Sequence, residues 1–221
     1  MYANSREVNS VQTGPHEKLG ELVRRHREHA FRKPYAPWNV EAFEAAMRAW
    51  NRRAPLLLDS ACGVGWSSLQ LARQYPDHFV IGVDQSEDRL ERGKPGEAPE
   101  NLLFVRADLV DFWRLLVDAK VKLARHYILY PNPWPKIGHL TRRWHGHPVF
   151  PAISALGGVL ECRSNWRTYV EELAQALQLL CGKTGAVEEW VAGDEPLTAF
   201  ERKYRDSGQA LYRIVVDLGD A

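Results

Sequence analysis

The stretch Leu56-Leu57-Leu58-Asp59-Ser60-Ala61-Cys62-Gly63-Val64-Gly65 decides the fold. Its three consecutive leucines show no alternation with polar residues, which is typical of a parallel strand buried on both faces. The two glycines let the backbone turn sharply and approach a ligand closely. A helix is predicted to begin at residues 66–68, where Ser67 or Ser68 can cap it and its free N–H groups can face that ligand.

The remainder of the chain continues this alternation of strands and helices. The chain has 221 residues, of which 45% are hydrophobic, enough for one sizeable core. We therefore predict an α/β fold with a seven-stranded, mostly parallel sheet and helices on both faces. Residues 1–54 are expected to form an N-terminal extension with helices, and residues 55–221 the main domain. The polar first fifteen residues are expected to be mobile.

Charge and cysteine content exclude several classes of protein. The net charge is +1, so attraction to nucleic acid must come from local basic patches, at residues 24–27 and 136–147. The run at 24–27 has two interpretations, the solvated face of a helix or an arm that contacts phosphates. Three scattered cysteines form no metal-binding pair, and no apolar run is long enough to span a bilayer. We expect a cytoplasmic protein without metal or membrane.

Acidic residues follow three successive predicted strands. Asp59 ends the first strand, Asp84 follows the apolar run 79–83, and Asp108 lies just beyond the strand 102–105. The carboxyl ends of parallel strands meet at one edge of a sheet, where ligands bind. Asp84 can accept both hydroxyl groups of a ribose. Asp108 can meet an adenine amino group, cap the next helix, or do both.

An adenosine ligand without a pyrophosphate fits this edge. The dinucleotide fingerprint requires a third glycine, and the corresponding position is Ser68. S-adenosylmethionine (SAM) is therefore the predicted cofactor, and an NAD site or an unliganded α/β turn is the alternative. The predicted cofactor-binding residues are Asp59, Cys62, Gly63, Gly65, Asp84, Gln85, Asp108 and Leu109.

A proline-rich loop, Pro131-Asn132-Pro133-Trp134-Pro135-Lys136, follows the fourth predicted strand, 124–130. Prolines fix φ, so Asn132 and Trp134 can be held in place. Trp134 can stack on a planar base, and Asn132 offers a donor and an acceptor to the edge of a heterocycle. The loop is similar in form to the acceptor loops of nitrogen-directed methyltransferases. We predict Asn132 and Trp134 as catalytic residues; the alternative is a rigid turn with a core tryptophan.

Together these motifs resemble those of the bacterial tRNA (guanine-N7)-methyltransferases, from about Leu56 onward. The resemblance includes Arg142-Arg143, Asn165-Trp166 and Thr198-Ala199-Phe200-Glu201-Arg202. It implies a class I SAM-dependent methyltransferase fold, SAM bound by the three strand-end aspartates, and methylation of guanine in the variable loop of tRNA. It also implies that Lys136, Thr198 and Glu201 hold the guanosine. The predicted substrate-binding residues are Lys136, Arg142, Arg143, Asn165, Thr198 and Glu201.

The chain departs from the family pattern on the substrate side. Asn132 and Asn165 stand where the family usually has aspartates, and Ile137-Gly138 replaces two residues that are commonly basic. Guanine N7 carries no proton to remove, so alignment of its lone pair with the methyl group can support the reaction. The lost negative charge costs roughly 2–4 kcal/mol as the purine becomes cationic. We expect an active enzyme that is slower or retargeted.

The alternatives belong to other functional classes. A relative could methylate a small nitrogen heterocycle, and a non-catalytic protein could bind SAM or RNA without turnover. The expected partner is tRNA, and the protein is expected to be a monomer or a homodimer.

Overall fold

A computed structural model describes residues 5–92 and 97–219, and its described strands form one sheet in the order β3-β2-β1-β4-β5-β7-β6. The strands are β1 (Leu56–Ser60), β2 (Phe79–Asp84), β3 (Leu102–Arg106), β4 (Arg125–Leu129), β5 (Val159–Ser164), β6 (Val187–Trp190) and β7 (Leu211–Asp217). β7 pairs antiparallel with β5 and β6, while strands β1 to β5 pair in parallel. The predicted seven-stranded, mostly parallel sheet is confirmed.

Helices cover both faces of this sheet. They are α1 (Leu19–Glu28), α2 (Pro37–Trp50), α3 (Trp66–Gln74), α4 (Glu87–Glu91), α5 (Leu109–Asp118), α6 (Phe150–Ala155), α7 (Arg167–Cys181) and α8 (Ala199–Asp206). Two short 3-10 helices, Ile137–Arg142 and Trp144–Gly146, follow the proline-rich loop of residues 131–136, the acceptor loop. The run Gly93-Lys94-Pro95-Gly96 predicts the end of α4, and these four residues lie outside the described ranges. No helix in the described ranges combines the length and apolar character needed to cross a membrane.

The central strand explains the leucine run. β1 pairs in parallel with β2 on one side and β4 on the other, so Leu58 lies between Ile81 and His126. All five residues of β1 are buried, because helices cover both faces. The carboxyl ends of β1, β2 and β4 therefore meet at one edge, and the motifs that follow them lie there.

The N-terminal helices share the core of the sheet domain. Leu19 and Val23 of α1 and Phe43 and Trp50 of α2 belong to the same buried cluster as the strands. The ring of Phe43 meets that of Phe112 on α5 edge to face at 5.8 Å. The division into an extension (1–54) and a methyltransferase domain (55–221) stays a prediction.

The described part of the polar N-terminal segment lies against the body of the protein. The Ser5 N–H donates to Ser207 Oγ at 3.0 Å, and Ser10 Oγ donates to the Pro135 carbonyl at 2.7 Å. Gln12 Nε2 donates to Glu172 at 2.6 Å. The sequence predicted mobility here because short polar segments give no local sign of such distant partners.

Candidate functional site

The glycine turn after β1 is bound to the end of β2. Ala61, Gly63 and Gly65 have φ of 61°, 60° and 82°, so a tight left-handed path replaces the strand. The Cys62 N–H donates to the Val83 carbonyl at 3.0 Å, which anchors the turn to the neighbouring strand. These residues are the predicted cofactor turn, and the structure places them at the carboxyl edge of the sheet.

Asp59 is buried and ties the turn to α3. Both Ser67 Oγ and Ser68 Oγ donate to its Oδ2 at 2.6 Å. The predicted capping of α3 by one of these serines is wrong: the N-cap is Gly65, and the two hydroxyls bond to the carboxylate instead. Burial raises the pKa of Asp59 to about 6, against the lowering effect of the two serine hydroxyls. Asp59 therefore orients the turn from beneath.

Asp84, at the end of β2, is 2% exposed and is surrounded by donors. The Gly63 N–H donates to its Oδ2 at 3.0 Å, and the Ser86 N–H donates to its Oδ1 at 2.8 Å. Arg89 Nη1 lies 3.4 Å from Oδ2. Asp84 thus links the glycine turn to the start of α4 and keeps its carboxylate at the strand end.

Asp108 caps α5, as one of its two predicted roles required. Its Oδ1 accepts from the Val110 N–H at 2.8 Å. Its own N–H donates to Asn39 Oδ1 at 2.9 Å, and Asn39 Nδ2 donates to Asp111 at 2.7 Å. The N-terminus of α2 therefore supports this strand end. Contact between Asp108 and adenine stays a prediction.

A cleft of about 100 Å³ joins the two strand-end aspartates. It is lined by Ala61, Asp84, Gln85, Arg89, Ala107, Asp108, Leu109 and Trp144. Its acidic groups suit ribose hydroxyls, and its apolar walls suit a flat ring. The donor and acceptor set therefore fits the adenosine part of SAM, and four of the eight predicted cofactor residues line the cleft.

Trp144 is the notable lining residue that sequence reasoning missed. Its ring meets that of Trp113 edge to face at 4.7 Å, which fixes it against α5. It comes from a short 3-10 helix beyond the acceptor loop, so no strand end or glycine turn marks it. Interleaved aromatic and basic residues in that segment pointed to nucleic acid instead.

The acceptor loop leaves β4 at the same edge. Asn132 is exposed, and its Oδ1 accepts from the Trp134 N–H at 3.3 Å. Trp134 has φ of +46° and carries the Arg142 guanidinium over its ring at 4.8 Å. Asn132 does not line the Asp84 cleft. The two residues lie on either side of β1, at the ends of β4 and β2.

The two adjacent arginines have opposite environments. Arg142 is exposed and lies beside the loop, whose last residue, Lys136, is also exposed. Arg143 is fully buried and forms an ion pair with Glu172 at 2.6 Å. The predicted role of Arg143 in binding the substrate does not fit this burial, because the guanidinium cannot reach an RNA phosphate.

The other predicted substrate residues bond to the protein. Thr198 caps α8 by accepting from the Glu201 N–H at 2.9 Å. Glu201 is 1% exposed and accepts from Arg163 at 3.0 Å. Asn165 Nδ2 donates to Gln209 at 2.9 Å. These residues shape the edge near α8, and their contact with guanosine stays a prediction.

Two further observations bear on the predicted chemistry. Within residues 5–92 and 97–219, no group of three histidine, cysteine or acidic side chains could hold a metal ion. His145, which with His147 could have suggested a metal site, is buried and bonds through Nε2 to Glu172 at 2.8 Å. Its burial lowers the pKa of the imidazole, against the effect of Glu172.

The strand order and the carboxylate edge define a class I SAM-dependent methyltransferase fold. A mutant 16S rRNA (adenine(1408)-N(1))-methyltransferase from Catenulisporales acidiphilia, solved with SAM, matches with a TM-score of 0.56 and 20% identity. The match covers 80% of this chain and 92% of that one. A structure described as an antibiotic related methyltransferase matches with a TM-score of 0.57, at 14% identity, over 84% and 96% of the two chains. These likenesses establish the fold.

Sequence comparison identifies the family. The family model described as "Putative methyltransferase" matches residues 53–214. The tRNA (guanine-N(7)-)-methyltransferase of Nocardia farcinica is 30% identical over 194 residues, 76% of this chain and 69% of that protein. The Treponema pallidum (strain Nichols) protein of the same name is 30% identical over 73% of this chain, and the match spans 66% of that protein's length. The chain belongs to the tRNA (guanine-N7)-methyltransferase family.

Proposed function

We propose that this protein transfers a methyl group from SAM to N7 of a guanine in the variable loop of tRNA. The observation that carries the proposal is the arrangement of one sheet edge. The Asp84–Asp108 cleft lies at the ends of β2 and β3, and the Asn132–Trp134 loop lies at the end of β4, across β1. The acceptor, guanine N7 of tRNA, is proposed from the names of the relatives.

On the donor side, the carboxylates bind and orient. Asp84 accepts the ribose hydroxyls, and the wall formed by Leu109 and Trp144 receives the adenine ring. Asp59 keeps the glycine turn in its left-handed path by bonding to Ser67 and Ser68. SAM, when bound, supplies an electrophilic methyl group on a positively charged sulfonium.

On the acceptor side, the loop presents a base. Trp134 stacks on the purine, and the Asn132 side chain orients its edge through the amide donor and acceptor. Because N7 has a free lone pair and no proton, the residues need to align the purine and exclude water rather than act as a base. The positive charge that reaches the purine has no carboxylate at position 132 to stabilise it, so we expect a slow enzyme.

The surroundings of the loop suit an RNA substrate. A cleft of about 480 Å³ lies between the start of α1 and the first 3-10 helix, and Lys18 and Arg25 line one wall. Thr141 lines the other wall, next to the exposed Arg142. Glu17 and Glu21 line the same cleft and balance these cations, so the groups that can contact phosphates are the exposed Lys136 and Arg142, and such contacts dominate affinity for nucleic acid. A cytoplasmic location, where tRNA is found, is part of the proposal.

The test is a methylation assay with mapping. Purified protein is given labelled SAM with unmodified tRNA, with tRNA whose variable-loop guanine is replaced by adenine, or with free guanosine. We expect label in the first tRNA alone, at the variable-loop guanine. Label in guanosine but not tRNA would indicate the small-heterocycle enzyme. SAM binding by calorimetry without transfer to any acceptor would contradict the proposal.

A further inference from the structure

The backbone of the acceptor loop needs support from outside the loop. Pro131, Pro133 and Pro135 carry no N–H, so the loop has few donors with which to bond to itself. Trp134 adopts φ of +46°, a conformation that a residue with a side chain keeps only when its surroundings hold it. The question is which groups hold it.

Three consecutive carbonyls of the loop accept hydrogen bonds from two residues outside it. The Trp134 carbonyl accepts from Arg143 Nε at 3.2 Å and from Nη2 at 3.1 Å. The Pro135 carbonyl accepts from Ser10 Oγ at 2.7 Å. The Lys136 carbonyl accepts from Arg143 Nη2 at 3.4 Å. Each residue from 134 to 136 is thus held through its backbone.

Arg143 is itself fixed by a buried cluster. Its Nη1 donates to both oxygens of Glu172, at 2.8 and 2.6 Å, and its Nη2 donates to Gln12 Oε1 at 3.1 Å. Its guanidinium also lies over the Trp166 ring at 4.8 Å. Every nitrogen of the guanidinium therefore bonds to the protein, and the side chain is 0% exposed.

Glu172 connects this cluster to the N-terminal segment. It accepts from Gln12 Nε2 at 2.6 Å, from the His16 N–H at 2.9 Å and from His145 Nε2 at 2.8 Å. Burial raises the pKa of Glu172, but His145 and Arg143 outweigh this and lower it to about 2, so the carboxylate stays ionised. A bond from Gln12 to Glu172 and one from Arg143 to Gln12 close the cluster.

We infer that Arg143 and Ser10 are positioning residues that hold the Trp134–Lys136 backbone in the geometry required for methyl transfer, with Glu172 anchoring Arg143 directly and Ser10 through Gln12. The inference rests on the proposed function and deepens it. It assigns Arg143 to the loop rather than to RNA, and it gives residues 10–16 a part in the reaction. Two residues outside the loop thereby act on the acceptor through the loop.

The experiment compares four variants of the full chain, Arg143→Lys, Ser10→Ala, Arg142→Ala and Ser207→Ala. Lysine keeps the charge facing Glu172 and loses the planar fork that reaches the carbonyls. Ser207 anchors the same N-terminal segment at Ser5, away from the loop, and is the matched control for Ser10. The measurements are hydrogen exchange over residues 131–140, kcat on tRNA, the SAM dissociation constant, and the salt dependence of tRNA binding.

We expect Arg143→Lys to speed exchange in the loop and to lower kcat about 100-fold, because small displacements near the reacting atoms have effects of that size. Ser10→Ala removes two hydrogen bonds, the one donated to the Pro135 carbonyl and the one accepted from the Gln12 N–H, and should lower kcat about fivefold. For both variants the SAM dissociation constant and the salt slope should stay as in the wild type. Ser207→Ala should leave loop exchange and kcat unchanged, while Arg142→Ala alone should reduce the salt slope.

Unchanged loop exchange in Ser10→Ala would overturn the inference, and this variant stays informative if Arg143→Lys does not fold. Unchanged loop exchange and kcat in Arg143→Lys would show that the planar fork does not hold the loop and would overturn it as well. If the wild type methylates no tRNA, the proposed function fails, while the exchange measurements still decide whether Arg143 and Ser10 hold the loop.

Discussion

The carboxyl ends of β1 and β2 with the glycine turn, together the cofactor edge, and the acceptor loop are stabilised by different kinds of contact. At the cofactor edge, the stabilising bonds join residues near in sequence: Ser67 is eight positions from Asp59, and Gly63 is 21 from Asp84. At the acceptor loop, Ser10 bonds to Pro135 across 125 positions. The Asp59–Asp84 part of the donor side is therefore a local motif, whereas the acceptor loop, like Asp108 with its bond to Asn39, depends on how distant segments pack. Four predictions test this difference, from the largest expected effect to the smallest.

The first prediction concerns the buried carboxylate of the local motif. The pKa of Asp59 is raised from 3.8 to about 6. The folded state favours the protonated carboxyl of Asp59. This group therefore contributes fully to the free energy of unfolding below about pH 3.8, and the contribution is lost as the pH rises through 6. The loss amounts to about 3 kcal/mol. Asp59→Asn should abolish this pH-dependent loss of stability, because the amide is neutral at every pH and its oxygen can still accept from Ser67 and Ser68.

The measurement is the free energy of unfolding in urea, compared between wild type and Asp59→Asn from about pH 4 to pH 8. The two curves should lie close together near pH 4, separate as the pH rises from about 4 to about 6, and run parallel above that, with the variant more stable. Parallel curves over the whole pH range would mean that burial does not destabilise the ionised carboxylate of Asp59, which would contradict the prediction.

The second prediction concerns SAM affinity. Asp84→Ala removes the proposed acceptor for the ribose hydroxyls and the partner of the Gly63 N–H. Hydrogen bonds to a charged group are worth about 1.5–3 kcal/mol each, so SAM should bind about 100-fold more weakly by calorimetry. Glu87→Gln is the control, because Glu87 is an exposed acid on the same segment that pairs with Arg106. Equal losses in both variants would argue against the Asp84 cleft.

The third prediction tests the missing negative charge at the acceptor. Asn132→Asp keeps the oxygen that accepts from the Trp134 N–H and adds the charge. A carboxylate near a purine that becomes cationic should raise kcat by about 30-fold, equivalent to about 2 kcal/mol. Single-turnover methylation of tRNA measures this change in rate. Asn165→Asp, at the other position where the family usually has an aspartate, is measured in the same way. A lower kcat in Asn132→Asp would show that the amide itself orients the base.

The fourth prediction concerns the exposed arginine of the loop. Arg142→Ala should remove one phosphate contact and reduce the slope of log K against log salt by about 1. Arg48→Ala is the matched control, since Arg48 is an exposed arginine on α2 that pairs with Glu44. The measurement is tRNA binding across a salt series. An equal change in both variants would indicate a general effect of charge instead of a contact beside the loop.

Sequence reasoning succeeded where a short segment carries both the geometry and the chemistry. The leucine run, the glycine turn and the strand-end acids follow one another, so the pattern of a buried strand and the rule for parallel sheets place them at one edge. It failed for Ser67 and Ser68, since a serine before a helix signals a cap and nothing local reveals the competing carboxylate of Asp59. It also missed Trp144, which enters the cleft through packing on Trp113.

The arginine pair shows most clearly what remains out of reach of a pattern. Arg142 and Arg143 are the same residue type at adjacent positions, and the motif treats them alike. One turns to solvent over Trp134, and the other is enclosed by Gln12 and Glu172. The burial of a side chain depends on the residues that pack over it. Arg143 is covered in part by Gln12, which lies 131 positions earlier in the chain.

By itself, therefore, the sequence determined the fold class and the order of the glycine turn and acids that follow the strands' carboxyl ends, because each depends on periodicity and on neighbours close along the chain. Only the tertiary structure decided which polar side chains face solvent and which bond to the protein itself. Those outcomes depend on contacts between segments such as 10–16, 134–136 and α7, whose meeting no local pattern encodes.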